Sequence, residues 1–197
     1  MNIYLVTYEG IAVHGIALLG YLLAERGISM HYLGSDLNPV KAKEGMLLIP
    51  TVTIDRFDLD RCDALIVPGG LPEGFNNIPW LGELMRAANE KGIVVGAMCA
   101  ATQTLAVHGL LKGKCYTSSF DLAIAGAEGC RNMKTFAYRD GNVISGRGQG
   151  FLDFAVLVLQ ALGLCDDREA KQIMKRYAPL VRKAPWGLKP FEKDQKQ

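Results

Sequence analysis

One cysteine of the five in this chain stands where its chemistry can be used. The five are Cys62, Cys99, Cys115, Cys130 and Cys165. The segment Gly92-Ile-Val-Val-Gly-Ala-Met-Cys99-Ala-Ala-Thr-Gln reads as an apolar strand, a sharp turn and a helix, with Cys99 at the turn. A reactive side chain at such an elbow is thrust out where the chain reverses. The turn is tight, so its neighbours must be small. Gly96, Ala97, Ala100 and Ala101 meet that need. A thiol at a helix start also faces unpaired N–H groups and the positive end of the helix dipole, which favour thiolate. The N–H of Ala100 is placed to form half of an oxyanion hole. The Gly69-Gly70 turn at the neighbouring strand end is the candidate for the other half.

The other four cysteines read as small buried hydrophobes. No pair has CxxC spacing, and His14, His31 and His108 form no HxxxH pair, so no zinc site is expected. An odd count in a chain of this size gives no disulfide framework.

The elements that must hold Cys99 alternate in type. Strands are expected at Asn2–Tyr8, Ile28–Leu33, Ala64–Val67, Gly92–Met98 and Val143–Ser145. Met46–Ile54 reads as an edge pair or hairpin broken by Pro50. Helices are expected at Ile11–Glu25, Leu81–Asn89, Ala100–Leu111, Phe151–Leu162 and Asp166–Tyr177. Continuous apolar strands separated by helices imply a mostly parallel, doubly wound sheet in a three-layer α/β sandwich. Ligands bind such sheets beyond the carboxyl ends of the strands. Glu9, Gly69-Gly70, Cys99, Ser118–Asp121 and Gly146–Gly150 all fall there.

Length and composition agree. The 197 residues are 49% hydrophobic and 21% charged with net charge +2, which suits one folded domain and excludes a disordered chain. No run is long and apolar enough to span a membrane, and no signal peptide is evident, so a cytoplasmic protein is expected. From Asp166 onward there are nine basic and five acidic residues. The expected organisation is therefore a domain over 1–165 and a C-terminal helix and basic extension over 166–197. That extension is expected to pack on the domain through Trp186, Leu188 and Phe191, with Pro179, Pro185 and Pro190 expected to prevent a long helix there. Its charge is too sparse for a nucleic-acid tail. Gly146-Arg-Gly-Gln-Gly150 lacks GxGxxG spacing and Pro68-Gly-Gly lacks a P-loop lysine, so no nucleotide cofactor is expected.

Four stretches together resemble the ThiJ/PfpI superfamily, relatives of class I glutamine amidotransferase domains. They are Cys62-Asp-Ala-Leu-Ile-Val-Pro-Gly-Gly70, Val94–Gly113 around the elbow, Tyr116-Thr-Ser-Ser119, and Ile144-Ser-Gly-Arg-Gly-Gln-Gly150 with its apolar helix. The resemblance implies a flavodoxin-like fold, a homodimer, a small-molecule substrate and a strained elbow cysteine, here Cys99. It also exposes two departures. Many members carry an acidic residue after the first strand. That position falls on Gly15, or on His14 with one residue of slippage. Many also carry a histidine where this chain has Ser119. The usual partners of the thiol are thus missing. His14 is the first candidate to replace them as base or imidazolium partner. Glu9 is a candidate to act through water, though it reads first as a helix-entry or turn carboxylate; Ser119 and Asp121 are candidates for hydrogen bonds, and Glu73 for the pocket mouth. His108, nine residues past Cys99, is too far along the helix to reach the thiol and reads as structural. Two functions fit: a thiol-dependent hydrolase or lyase of small carbonyl or amide compounds, and a redox-sensing or stress-response protein using Cys99 oxidation.

Overall fold

A computed structural model describes residues 1–120, 122 and 126–182, with side chains of the last helix described as far as Tyr177. In chain order the elements are β1 (Ile3–Val6), α1 (His14–Ala24), β2 (Met30–Gly34), β3 (Val40–Lys41), β4 (Leu47–Leu48), β5 (Val52–Thr53), β6 (Ala64–Val67), α2 (Pro72–Asn76), α3 (Leu81–Glu90), β7 (Val94–Met98), α4 (Thr102–Val107), β8 (Cys115–Tyr116), β9 (Arg131–Asn132), β10 (Ala137–Asp140), β11 (Val143–Gly146), α5 (Phe151–Ala161) and α6 (Asp167–Arg182). Seven strands form one sheet in the order β10-β11-β7-β6-β1-β2-β5. Every pairing in it is parallel except β10 with β11. This is the mostly parallel, flavodoxin-like α/β arrangement expected from the alternation.

The physical cause lies in the strands. Every residue of β1, β6 and β7 is buried. Strands covered on both faces have no solvent side to alternate toward, and they therefore read as unbroken apolar runs. Each fully buried aliphatic side chain contributes about 1.5–3 kcal/mol over leaving it in water. Leu5, Leu65, Ile66, Leu19 and Phe154 are among those with under 2% exposure.

Several elements refine the sequence reading. The first helix begins at His14, not Ile11, because Ile11 forms an antiparallel bridge with Gly70 and is held extended. The helix after the elbow is short, a 3-10 turn over Cys99–Ala101 followed by the six residues of α4. The Met46–Ile54 segment resolves into both alternatives: β4 closes a hairpin with β3, and β5 lies beside β2 at the sheet edge. Finally, α6 runs through Pro179 to Arg182, five residues beyond the expected end. Ala170 in its first turns is buried, and Ile173, Met174 and Tyr177 pack against the core. Trp186, Leu188 and Phe191 lie outside the described residues.

Candidate active site

The elbow is strained as its sequence implies. Cys99 has φ 52°, one of two described non-glycine residues with positive φ. A β-carbon in that region crowds the following carbonyl and costs about 1–2 kcal/mol. The side chain is half-buried. Glycines flank it on two sides, and neither site has room for a side chain. A methyl at Gly69 would stand 2.7 Å from the Cys99 Cβ, and one at Gly148 would stand 3.2 Å from Sγ. The Gly146–Gly150 turn thus belongs to the site because Gly148 leaves space beside the sulfur.

Tyr8 fixes the opposite wall. Its Oη lies 2.6 Å from Pro68 O and 2.7 Å from Gly69 O, so one phenolic proton is shared between two carbonyls. Burial, and then the neighbouring Cys99 sulfur, push the phenol above its usual range. Tyr8 therefore remains a donor at all ordinary pH, and it locks the Pro68-Gly69-Gly70 turn beside the thiol.

That turn carries a free donor. The bridge between Ile11 and Gly70 is held by Ala12 N–H to Gly69 O at 2.7 Å and Leu71 N–H to Gly10 O at 3.0 Å. Both bonds flank Gly70, and among the described residues the Gly70 N–H makes none. The N–H of Ala100 lies in the first turn of its helix and has no intrahelical acceptor. These are the two N–H groups that the sequence nominates for an oxyanion hole.

A buried polar chain supports the elbow from below. Thr102 Oγ1 donates to Cys99 O at 2.8 Å and lies 2.9 Å from Ser118 Oγ. Ser118 in turn accepts from Phe120 N–H at 3.1 Å. Thr102 is fully buried and Ser118 is 2% exposed, so these bonds are made away from water. Ser118, not Ser119, is the residue of this segment that faces the elbow. Ser119 is exposed and makes no hydrogen bond to it among the described residues. Asp121 lies outside the described residues.

The other nominated partners are placed elsewhere. His14 has a 58% exposed side chain, with Nδ1 2.9 Å from Glu44 Oε1. Glu44 also accepts from Val13 N–H and His14 N–H, each at 3.1 Å, and so caps α1 in place of a local side chain. Partial burial pushes the Glu44 carboxyl up, but the bonds from the His14 ring and the two N–H groups outweigh it and hold it at about 2. No hydrogen bond joins His14 to Cys99. Gly15 is buried against the end of Met98 and, being glycine, offers the thiol no carboxylate. Glu9 is exposed, and its Oε2 accepts from Lys41 N–H at 2.9 Å. Glu73 is exposed in the first turn of α2. The thiol itself makes no hydrogen bond or ion pair among the described residues.

The remaining cysteines separate into two groups. Cys62 and Cys165 are buried as expected. Burial, then Asp63, pushes the Cys62 thiol up to about 12. Burial, then Glu169, raises Cys165. Cys115 and Cys130 are only half-buried, because Cys115 lies in β8 and Cys130 just before β9, in a small ribbon outside the central sheet. No group of three or more metal-ligating side chains occurs among the described residues.

The sequence profile of the DJ-1/PfpI family matches residues 1–161, from the first strand to the end of α5. The chain belongs to the DJ-1/PfpI family. It is 32% identical over 132 residues to the Drosophila melanogaster protein DJ-1alpha, a match covering 64% of this chain and 61% of that one. A Caenorhabditis elegans relative, glutathione-independent glyoxalase DJR-1.2, is 27% identical over 153 residues, covering 75% of this chain and 80% of its own length. A solved structure of a DJ-1 superfamily protein from Agrobacterium tumefaciens superposes with a TM-score of 0.81 at 25% identity, covering 91% of this chain and 99% of that one.

Proposed function

We propose that this protein is a thiol-dependent hydrolase or lyase of small carbonyl or amide compounds, with Cys99 as nucleophile. The observation that carries the reading is the backbone of Cys99, held at φ 52° with a half-buried side chain between two glycines. Strain of 1–3 kcal/mol persists only where the surroundings impose it, and it clusters at functional sites. A glyoxalase among the relatives favours an aldehyde or other small carbonyl as substrate. In the first step the sulfur attacks the electrophilic carbon and an S–C bond forms. The carbonyl π pair moves to oxygen, toward the N–H groups of Gly70 and Ala100. The thiol proton passes through water to that oxygen. Tyr8 acts as a positioning residue through the Gly69–Gly70 turn. His14 is turned to solvent beside Glu44 with no hydrogen bond to Cys99, and it takes no part as a base.

The test is turnover of a panel of small aldehydes and amides by the wild type and by Cys99→Ser. Loss of turnover in the variant is expected. Full turnover by Cys99→Ser, or none by the wild type, overturns the reading.

A second reading is favoured by one observation, that no carboxylate or imidazole among the described residues is bonded to Sγ. Here Cys99 oxidises reversibly to a sulfenic or sulfinic acid without turning over a substrate. Mass spectrometry after mild peroxide treatment then finds oxidation concentrated at Cys99. An even spread over the five cysteines contradicts it.

A further inference from the structure

A cavity of about 570 Å³ lies away from the walls of Cys99, between the α2–α3 segment and α4. That volume is typical of small-molecule sites. Its floor is apolar: Phe75 is buried, and Ile78 and Val107 border it. Its two charged groups are uncommitted. Among the described residues neither Glu83 nor Arg86 makes a hydrogen bond or an ion pair. The two sit three residues apart on α3, hence on one face of that helix. His108 faces them from the end of α4, with its ring against the backbone of α3 at Gly82, where even a methyl would collide. Burial, then the Arg86 charge, lowers its pKa, so the imidazole is neutral at physiological pH. One carboxylate, one guanidinium and a neutral imidazole therefore rim an apolar pocket, and each charge lacks a partner.

We infer that this cavity binds a small zwitterion of amino-acid type, with its carboxylate toward Arg86, its ammonium toward Glu83 and its apolar side chain over Ile78 and Val107. Unpaired opposite charges at the rim select against ligands bearing only one sign, since one rim charge would then stay unanswered. The inference does not rest on the chemistry of Cys99.

The test is a chemical-shift titration of the full-length, ¹⁵N-labelled protein with L-leucine, 4-methylpentanoate and 3-methylbutylamine. Leucine is expected to give saturable shifts confined to the α2–α3 segment and α4. Each analogue, lacking one charge, is expected to bind about tenfold more weakly, as for loss of one charge-assisted contact. Glu83→Gln and Arg86→Gln sit on an exposed helix face, and each is expected to weaken leucine binding by a similar factor. The inference is overturned by the absence of saturable shifts with leucine. It is equally overturned by analogues that bind as well as leucine, or by variants that bind as the wild type does.

Discussion

A cysteine with φ 52° holds a conformation that glycine adopts freely. The account therefore makes a sharp prediction about stability. Cys99→Gly is expected to be more stable than Cys99→Ala by about 1 kcal/mol, because only alanine keeps the crowded β-carbon. Urea unfolding of the two variants checks this, and an alanine variant as stable as the glycine one contradicts it. Gly148 makes a second prediction. A methyl there would stand 3.2 Å from Sγ, inside van der Waals contact. Gly148→Ala is expected to slow alkylation of Cys99 about tenfold, equivalent to a barrier increase of roughly 1.4 kcal/mol, while Cys115 reacts at its usual rate. The special status of Cys99 was legible in the sequence, because a strand, a small-residue turn and a helix form a local pattern. Its supporting residues were not. Tyr8 reads as one more β-former in the first strand, yet its hydroxyl holds a turn sixty residues away. Ser118 and Ser119 differ by one position, and in extended chain that puts them on opposite faces. Only the backbone trace tells which one meets Thr102.

The elements around the elbow are joined by contacts far apart in sequence. The start of α1 has no side-chain cap of its own and relies on Glu44 from the turn joining β3 and β4. Glu44→Ala is expected to cost on the order of 1 kcal/mol, as for loss of a capping side chain. The same contact has a pH signature. Its folded pKa is depressed to about 2 from 4.5, so its contribution is complete above pH 4.5 and disappears as pH falls toward 2. The gap in urea midpoint between the wild type and Glu44→Gln should therefore shrink as pH falls below 4.5 and close near pH 2. A gap that persists undiminished at pH 2 contradicts the assignment. Because Glu44 and His14 are both well exposed, salt should narrow the gap too. No local pattern in the sequence announces this contact, since a glutamate in a hairpin turn looks like any other solvated charge. The reverse holds for the sheet. The buried runs of β1, β6 and β7 were plain, because a strand covered on both faces writes its environment into consecutive residues. The two-residue strands β3, β4, β5, β8 and β9 leave too few positions to show a period.

At the scale of the whole molecule, the parallel sheet gathers Tyr8, Gly69, Gly70 and Cys99 at the carboxyl ends of β1, β6 and β7, and the fold thereby builds a site from local runs that are individually unremarkable. None of the described helices is long and apolar enough to cross a membrane. The family resemblance leads us to expect a homodimer, and light scattering should return about twice the chain mass of 21.5 kDa. A monomer at micromolar concentration contradicts this. The central claim is that the fold makes Cys99 the reactive thiol of the five. Competitive alkylation of the native protein with a limiting amount of iodoacetamide, quantified by peptide mass spectrometry, tests it most directly. Desolvation suppresses Cys62 and Cys165, whereas Cys115 and Cys130 share the half-buried state of Cys99 but not its strained elbow. Cys99 is expected to be modified at least about tenfold faster than Cys115 or Cys130, because its elbow presents the sulfur beside the free N–H groups of Gly70 and Ala100. Equal modification of these three, or a slower Cys99, would contradict it.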